Sequence, residues 1–463
     1  MAIAPPPGDP RSSRPPGNRP HAGVADSGPV RRCRSRVTVV SPAYWPQGGG
    51  SHPAADIATA TAQMLTDAGA SVRVVAPRTS AHMHTSLRRL GVDVRRPMQP
   101  PRSQWASRRY GRSLTQWLIE NVSDADVILA IGIGEESRAA SDAADRIGVP
   151  FWFRPGGGSD GECPADLRPG LVRGGGSMRR WSAAAAADGW IVGTAAERRD
   201  WTARGVPPAS LNVWPWPVRR IPSERPVRID RPRARHTLGT ANADLRTDDD
   251  TPVVATATRL ARGTGIDDVV EAMTAVLSHR PDVRFWMIGD GPSRSRIYGR
   301  LRGDGYRQHV AMPGSWPSAH EVWAACDVYV HVDPIPGPTL ADVVAAGCPV
   351  VSLDTAANRE FMAATFGDGC RGSNATAGES PVREPVGTPV QWTVGDPPSI
   401  RRGVRAFIDR PPRRFFPDTP IGPGVVEPGV ADSGVAEPGV VDSTGGDHAP
   451  VHRWLAEHAG AWR

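Results

Sequence analysis

The stretch TPVVATATRL (251–260), GIDDVVEAMTAVLSH (265–279), RFWMIGDGP (284–292), HVAMPGSW (309–316), CDVYVHVD (326–333), LADVVAAG (340–347) and CPVVSL (348–353) decides the fold. Short apolar runs alternate with segments whose apolar residues recur at helical spacing. That alternation is the signature of a parallel sheet whose strands are joined by crossover helices. Such sheets take ligands in the crevice at the carboxyl ends of their strands. The turn Gly289-Asp290-Gly291-Pro292 and the segment after CDVYVHVD should lie at that end.

The same pattern begins earlier in the chain. A strand at Val37–Ser41 runs into the loop PAYWPQGGG (42–50). Ile57, Ala60, Thr61, Met64, Leu65 and Ala68 follow at helical spacing, and SVRVVAP (71–77) is a second strand. DVILAIG (126–132), PFWFRP (150–155), GWIVGT (189–194) and SLNVWPWPV (210–218) supply four more. The fold class is therefore α/β, with two Rossmann-like doubly wound domains at 36–218 and 251–409. Residues 219–250, rich in Pro and Arg and ending in Asp248-Asp249-Asp250, read as the connection. Residues 1–35 are Pro/Arg-rich without periodicity, and 410–463 carry a ten-residue tandem repeat, VVEPGVADSG and VAEPGVVDST (425–444); both tails are expected to be disordered. HRWLAEHAGAW (452–462) has the spacing of one short helix able to dock on the body. Gly367–Gly387 reads as a polar surface insertion.

Composition narrows the chemistry. All 55 basic residues are arginine, which excludes pyridoxal Schiff bases, P-loop lysines and the kinase phosphate lysine. The net charge of +7 favours anionic partners, although the arginines are scattered rather than clustered. Cys33, Cys163, Cys326, Cys348 and Cys370 show no close pairing, so neither a disulfide framework nor a zinc site is expected. Cys326 and Cys348 begin apolar strands and read as small core residues. No run reaches the roughly 18 apolar residues of a membrane span, and no apolar signal region leads the chain. A cytoplasmic setting is the expectation.

Order and spacing together resemble the retaining glycosyltransferases of the two-domain GT-B type, family 4 (glycosyl transferases group 1). ATRLARGTGIDDVVEAM (257–273) is similar to that family's GRL-x-x-x-KG-x-x-x-L-x-x-A segment. RFWMIGDGP is similar to its GDGP strand and turn, and CDVYVHVDPIPGPTLADVVAAGCPVV to its donor-site acid motif. The resemblance implies transfer of a hexose from a nucleotide-diphosphate sugar to an acceptor hydroxyl, with retention at the anomeric carbon. It implies no cofactor beyond the nucleotide sugar as co-substrate, and no metal.

Carried over residue by residue, the resemblance puts Arg259 on the donor diphosphate. The partner lysine, five residues on, is replaced by Thr264, and Arg262 on the same loop would supply the missing charge. Asp342 stands where the family's second Glu holds the ribose. The first Glu, near the transferred sugar, falls on Pro334, with Asp333 one residue earlier as its substitute. Thr339 and Leu340 belong to the same substrate-binding segment, with Gly289 and Gly291. Gly48, Gly49 and Gly50 allow close backbone approach to a donor phosphate or to the acceptor. The family's N-terminal histidine is missing from Ala130-Ile131-Gly132-Ile133-Gly134, while Arg154 and Asp160 stand in its second acceptor loop. For these two an acceptor contact and a structural ion pair or turn are both open.

Other motifs have ordinary readings. Gly157-Gly158-Ser159-Asp160-Gly161 has the nucleophile-elbow spacing, but Pro164 and Pro169 interrupt the helix an elbow needs. His331 on a core strand reads as a buried, hydrogen-bonded histidine, and the Asp248 run as a solvated loop. Trp105, Tyr110, Leu114, Trp117 and Leu118 share a helix with Arg108, Arg109 and Arg112, which suits either packing on the sheet or a peripheral contact with an anionic membrane. The acceptor class implied is a glycan or a lipid-linked glycan, and no nucleic acid is expected. The alternative reading is a catalytically degenerate sugar- or nucleotide-binding relative on the same fold.

Overall fold

The computed structural model describes residues 35–47, 52–101, 103–157, 176–218, 231–316, 320–366, 389–411 and 449–458. The expectations for residues 1–34, the insertion at 367–387 and the repeat at 425–444 lie outside them. The N-terminal domain runs β1 (Arg36–Val40), α1 (Pro53–Asp67), β2 (Ser71–Val75), β3 (Ser86–Arg89), β4 (Val92–Arg95), α2 (Gln104–Asn121) and β5 (Val127–Ile131). It continues with α3 (Glu135–Ile147), β6 (Phe151–Arg154), α4 (Gly176–Ala185), β7 (Gly189–Val192), α5 (Ala195–Ala203) and β8 (Leu211–Val213). Its strands order as β3-β4-β2-β1-β5-β6-β7-β8, parallel apart from the β3–β4 hairpin. β5 (VILAI) and β6 (FWFR) are buried along their whole length, as strands covered by helices on both faces must be.

The C-terminal domain runs α6 (Arg231–Ala241), β9 (Val253–Ala257), α7 (Ile266–Leu277), β10 (Arg284–Ile288), α8 (Arg294–Gly303), β11 (Val310–Gly314) and α9 (His320–Ala325). After these come β12 (Val328–His331), α10 (Pro338–Ala345), β13 (Val350–Leu353), α11 (Ala356–Phe366), β14 (Val390–Thr393), α12 (Pro397–Asp409) and α13 (Ala449–His458). The parallel sheet orders as β11-β10-β9-β12-β13-β14. In each domain the strand order reverses direction at the strand that comes first along the chain, β1 in one and β9 in the other. Loops leaving the carboxyl ends of those strands diverge there and open a crevice. The two-domain doubly wound fold read from the sequence is borne out.

Two features were not legible in that reading. The β3–β4 hairpin turns through Leu90 (φ 48°) and Gly91 (φ 82°), left-handed positions of a two-residue hairpin turn. Leu-Gly is a weak turn signal, and the arginines around it hide the alternation of Val92 and Val94. Within the 219–250 connection, residues 231–241 form α6, which packs on α9. Its Arg235 is 2% exposed and donates to the Ala325 carbonyl at 3.1 Å and to Asp327 Oδ2 at 2.8 Å. It also donates to the Asp248 and Asp249 carbonyls at 2.7 and 2.6 Å, so the backbone of the acidic run is held rather than loose. The short helix read at 452–462 corresponds to α13, which lays Trp454 edge-on against Trp152 of β6 and Trp214, with centroids 5.2 and 5.3 Å apart. Val451, Trp454 and Leu455 are buried there. The last described helix of the chain thus completes the N-terminal core.

Candidate active site

A cleft of about 540 Å³, counting its open mouth, lies between the two switch points. The N-terminal domain lines it with Pro53, Asp56 and Ile57 from the start of α1 and with Gly157 after β6. The C-terminal domain supplies Ala257 and Thr258 from the end of β9, His331 and Asp333 from the end of β12, and the run from Ile335 to Leu340. Pro53 occupies the first helical position of α1, where its missing N–H costs nothing.

The run Asp333-Pro334-Ile335-Pro336-Gly337-Pro338 cannot continue a strand, because its prolines lack ladder donors. Its carbonyls are held instead by side chains. Asn358 Nδ2 donates to the Asp333 carbonyl at 3.0 Å, Thr355 Oγ1 to that of Pro334 at 2.7 Å, and Trp216 Nε1 to that of Pro336 at 3.1 Å. Gly337 then caps α10, with Pro338 at its first turn. A helix start leaves its first amides without intrahelical partners, here those of Thr339 and Leu340.

Asp333 is partly open to the cleft yet closely surrounded by protein, and burial pushes its carboxyl up to about 6. Behind it, His331 is 3% exposed, and its ring nitrogens have only the Asn358 side chain and the Ile335 backbone near them, at less than ideal hydrogen-bond geometry. The expectation of a buried core histidine stands, with the Asn358 side chain and the Ile335 backbone next to the ring. Burial lowers its pKa to about 4, against a weaker opposing pull from Asn358 and the Ile335 backbone. The imidazole is therefore neutral at physiological pH and offers one donor and one acceptor.

Arg259 follows β9 just past the cleft-lining Ala257 and Thr258 and is half-buried, while Arg262 is exposed. Neither is among the residues that line the cleft, nor are Gly289, Gly291 and Asp342. Thr264 Oγ1 is within hydrogen-bonding distance, 2.9 Å, of both the Arg259 and Ala261 carbonyls. Its hydroxyl therefore ties the 259–264 loop to itself at the position where the resemblance has a lysine. Gly291 packs against the Leu260 backbone so closely that a Cβ would meet the Leu260 carbonyl oxygen at 2.4 Å. Gly289 is buried with φ +130°. Gly291 thus lets the β10 turn nest against the Arg259 loop, while Gly289 supplies a positive φ and bonds the Gly314 carbonyl. His52, just before α1, has its Nδ1 buried without a partner, and burial with the nearby Arg259 charge lowers its pKa to about 4.

With that geometry in place, the matches are specific to each half. Residues 54–217 match the glycosyl transferase 4-like domain, and residues 251–372 match glycosyl transferases group 1. Both halves are glycosyltransferase domains. Together they make a GT-B fold, shared with sucrose-phosphate synthase from Thermosynechococcus elongatus (14% identity, 82% of this chain and 90% of that one, TM-score 0.54). It is shared too with the catalytic domain of starch synthase IV from Arabidopsis thaliana bound to ADP and acarbose (13%, 81% and 92%, 0.54). Anabaena HepE in complex with UDP-glucose is similar at 14% identity, 81% and 90% coverage, and a TM-score of 0.53. No curated protein matches the chain by overall sequence.

In these glycosyltransferase domains the other expected residues fall as follows. Asp333, Thr339 and Leu340 line the cleft, Leu340 with its side chain buried and its backbone at the helix start. Asp342 sits one turn further along α10, half-buried. Arg154 is 1% exposed: it stacks on Trp216 at 3.7 Å and bonds Thr61 and the Trp214 carbonyl at 3.2 and 3.4 Å. An indole covers the guanidinium, and its bonded partners, Thr61 Oγ1 and the Trp214 carbonyl, are neutral groups. Gly48, Gly49, Gly50 and Asp160 lie outside the described residues. The sequence reading missed His52, which lies near Arg259, Asp56, which lines the cleft from α1, and Trp216, which bonds the Pro336 carbonyl 120 residues away.

Proposed function

We propose that the protein transfers a hexosyl group from a nucleotide-diphosphate sugar to an acceptor hydroxyl, with retention of anomeric configuration. The observation that carries this reading is the cleft itself. A desolvated carboxyl, Asp333, and the Arg259 loop stand at the carboxyl ends of neighbouring strands β12 and β9, under a helix start from the other glycosyltransferase domain. Occupied structures of the same fold support it, since HepE holds UDP-glucose and starch synthase IV holds ADP.

In this reading Arg259, joined by Arg262, neutralises the charge that develops on the leaving diphosphate, and the start of α10 adds backbone donors from Thr339 and Leu340. Asp333 accepts hydrogen bonds from the sugar hydroxyls, Asp342 holds the ribose, and Gly289 and Gly291 shape the floor. The Gly48–Gly50 loop approaches donor phosphate or acceptor, and Asp160 the acceptor. The nucleotide sugar is a co-substrate, and the chemistry uses neither metal nor cofactor. The acceptor is a glycan or lipid-linked glycan, and the exposed basic face of α2 allows a peripheral membrane contact from a cytoplasmic protein.

A second reading is favoured by two positions. Pro334 replaces the sugar-side acid and Thr264 the lysine, as in a relative that binds nucleotide sugars without turnover. Titration calorimetry against UDP, GDP, ADP and their hexose conjugates, with wild type and Arg259→Ala, tests both. Saturable binding of one nucleotide that weakens by at least about tenfold in Arg259→Ala establishes the donor cleft. Transfer or hydrolysis of that donor then separates an enzyme from a binding protein. No binding of any of them sinks both readings.

A further inference from the structure

The N-terminus of α5 is satisfied by two carboxylates, one of them from the other domain. Thr194 caps the helix and accepts from the Glu197 amide at 3.1 Å, while Glu197 accepts from Gly193 and Thr194 at 2.7 and 3.0 Å. The next two amides, of Ala195 and Ala196, donate to the two oxygens of Glu360 on α11, at 2.6 and 2.8 Å. Arg199 reaches the same carboxylate at 3.7 Å. A carboxylate at a helix start is favoured by hydrogen bonding and by the helix field alike.

Glu360 does not act alone. Its helix also begins with the groups that hold the proline run, since Thr355 and Asn358 bond the Pro334 and Asp333 carbonyls. The next held carbonyl of that run, Pro336, accepts from buried Trp216 of the N-terminal domain. Trp216 is fixed on one face by Arg154 at 3.7 Å. It also lies against Gly193, where an added Cβ would come within 3.0 Å of the indole nitrogen. Gly193 immediately precedes Thr194, so the contacts form a closed circuit. It passes from α5 to Glu360, along the start of α11 to the proline run, across to Trp216, and back to the residue before α5.

We propose that Glu360 and Trp216 together form an interdomain clasp that holds the Asp333–Gly337 run against the N-terminal domain. Both are positioning residues: neither needs to touch a substrate, and each fixes one end of the wall that carries Asp333. The clasp couples the domain that supplies Asp56 and Ile57 to the loop that supplies Asp333. Closing or loosening the domains therefore moves the carboxyl relative to the cleft floor. Its effect on turnover rests on the transferase reading, whereas the clasp itself does not.

Amide hydrogen exchange on the full chain, followed by mass spectrometry over the Gly193–Arg199 segment, tests it without any nucleotide sugar. Glu360→Ala is expected to speed exchange at Ala195 and Ala196 by roughly tenfold or more, and Glu360→Gln, which keeps one carbonyl acceptor, by less. Trp216→Phe keeps an aromatic ring under Arg154 and removes only the N–H. It is expected to speed the same two amides several-fold, although it does not bond them. Unchanged exchange in Glu360→Ala, or in Trp216→Phe, would overturn the clasp. Once a donor is known, both conservative variants should lower kcat by about tenfold with nucleotide Kd within about twofold of wild type. Loss of nucleotide binding in equal measure would argue against positioning.

Discussion

Asp333 is held by its surroundings in a way that titration exposes. Burial raises its pKa to about 6, above the value near 3.9 of an unfolded aspartate. Between those values the folded chain binds more protons than the unfolded one. The stability associated with the neutral carboxyl is therefore full below about pH 4 and is lost as pH rises through about 6. The loss is of the order of 2 kcal/mol. Asp333→Asn should melt close to wild type at pH 4 and above it at pH 8, and parallel melting temperatures across that range would contradict the desolvated carboxyl. In the same variant hexosyl transfer should fall by about a hundredfold or more at pH 7.5, because an amide both accepts and donates where the sugar needs an acceptor. The position of Asp333 was legible from the strand that precedes it. The neutral state of His331 was not, since it depends on what covers the ring.

At the scale of elements, the helical period sorts α2 into two faces. Tyr110, Leu114 and Leu118 are buried, and the Tyr110 hydroxyl donates to Glu136 on α3 at 2.8 Å. Trp105, grouped with them by its apolar character, is 95% exposed. It lies at i, i+3, i+4 and i+7 with Arg108, Arg109 and Arg112, all exposed. An indole among three guanidiniums matches the interface of an anionic bilayer. Co-sedimentation with vesicles containing phosphatidylglycerol should therefore retain the protein, and phosphatidylcholine vesicles should not. Trp105→Ala should weaken retention by about fivefold, at roughly 1 kcal/mol, and Arg108→Gln with Arg109→Gln by more. Equal partition onto both vesicle types would remove the membrane contact. The β3–β4 hairpin shows the complementary failure of local reading, because its left-handed Leu90 carries no residue-type signal.

For the molecule as a whole, the two domains are tied by contacts that skip across the chain. Trp216 meets Pro336 over 120 residues, and Glu360 meets Ala195 over 165. α13 packs three apolar residues into the N-terminal core after a long stretch of the chain has intervened. Trp454→Ala should cost about 3–5 kcal/mol, read as a lowered melting temperature with new dye binding at the Trp152 and Trp214 surface. An unchanged melt would mean that α13 does not dock.

What the sequence by itself determined was the run of strands and helices and the ends of the strands where ligands gather. Those features follow from hydrophobic period and turn chemistry, which act over a few residues. The positions of Arg259, Asp333 and Thr264 in their loops were legible for the same reason. The tertiary structure decided what surrounds and braces the cleft: Asp56 on its N-terminal wall, His52 beside Arg259, the buried Arg154 against Trp216, and the carboxylate of Glu360 on the start of α5. Each of these depends on burial or on neighbours distant in the chain, and local pattern carries no record of either.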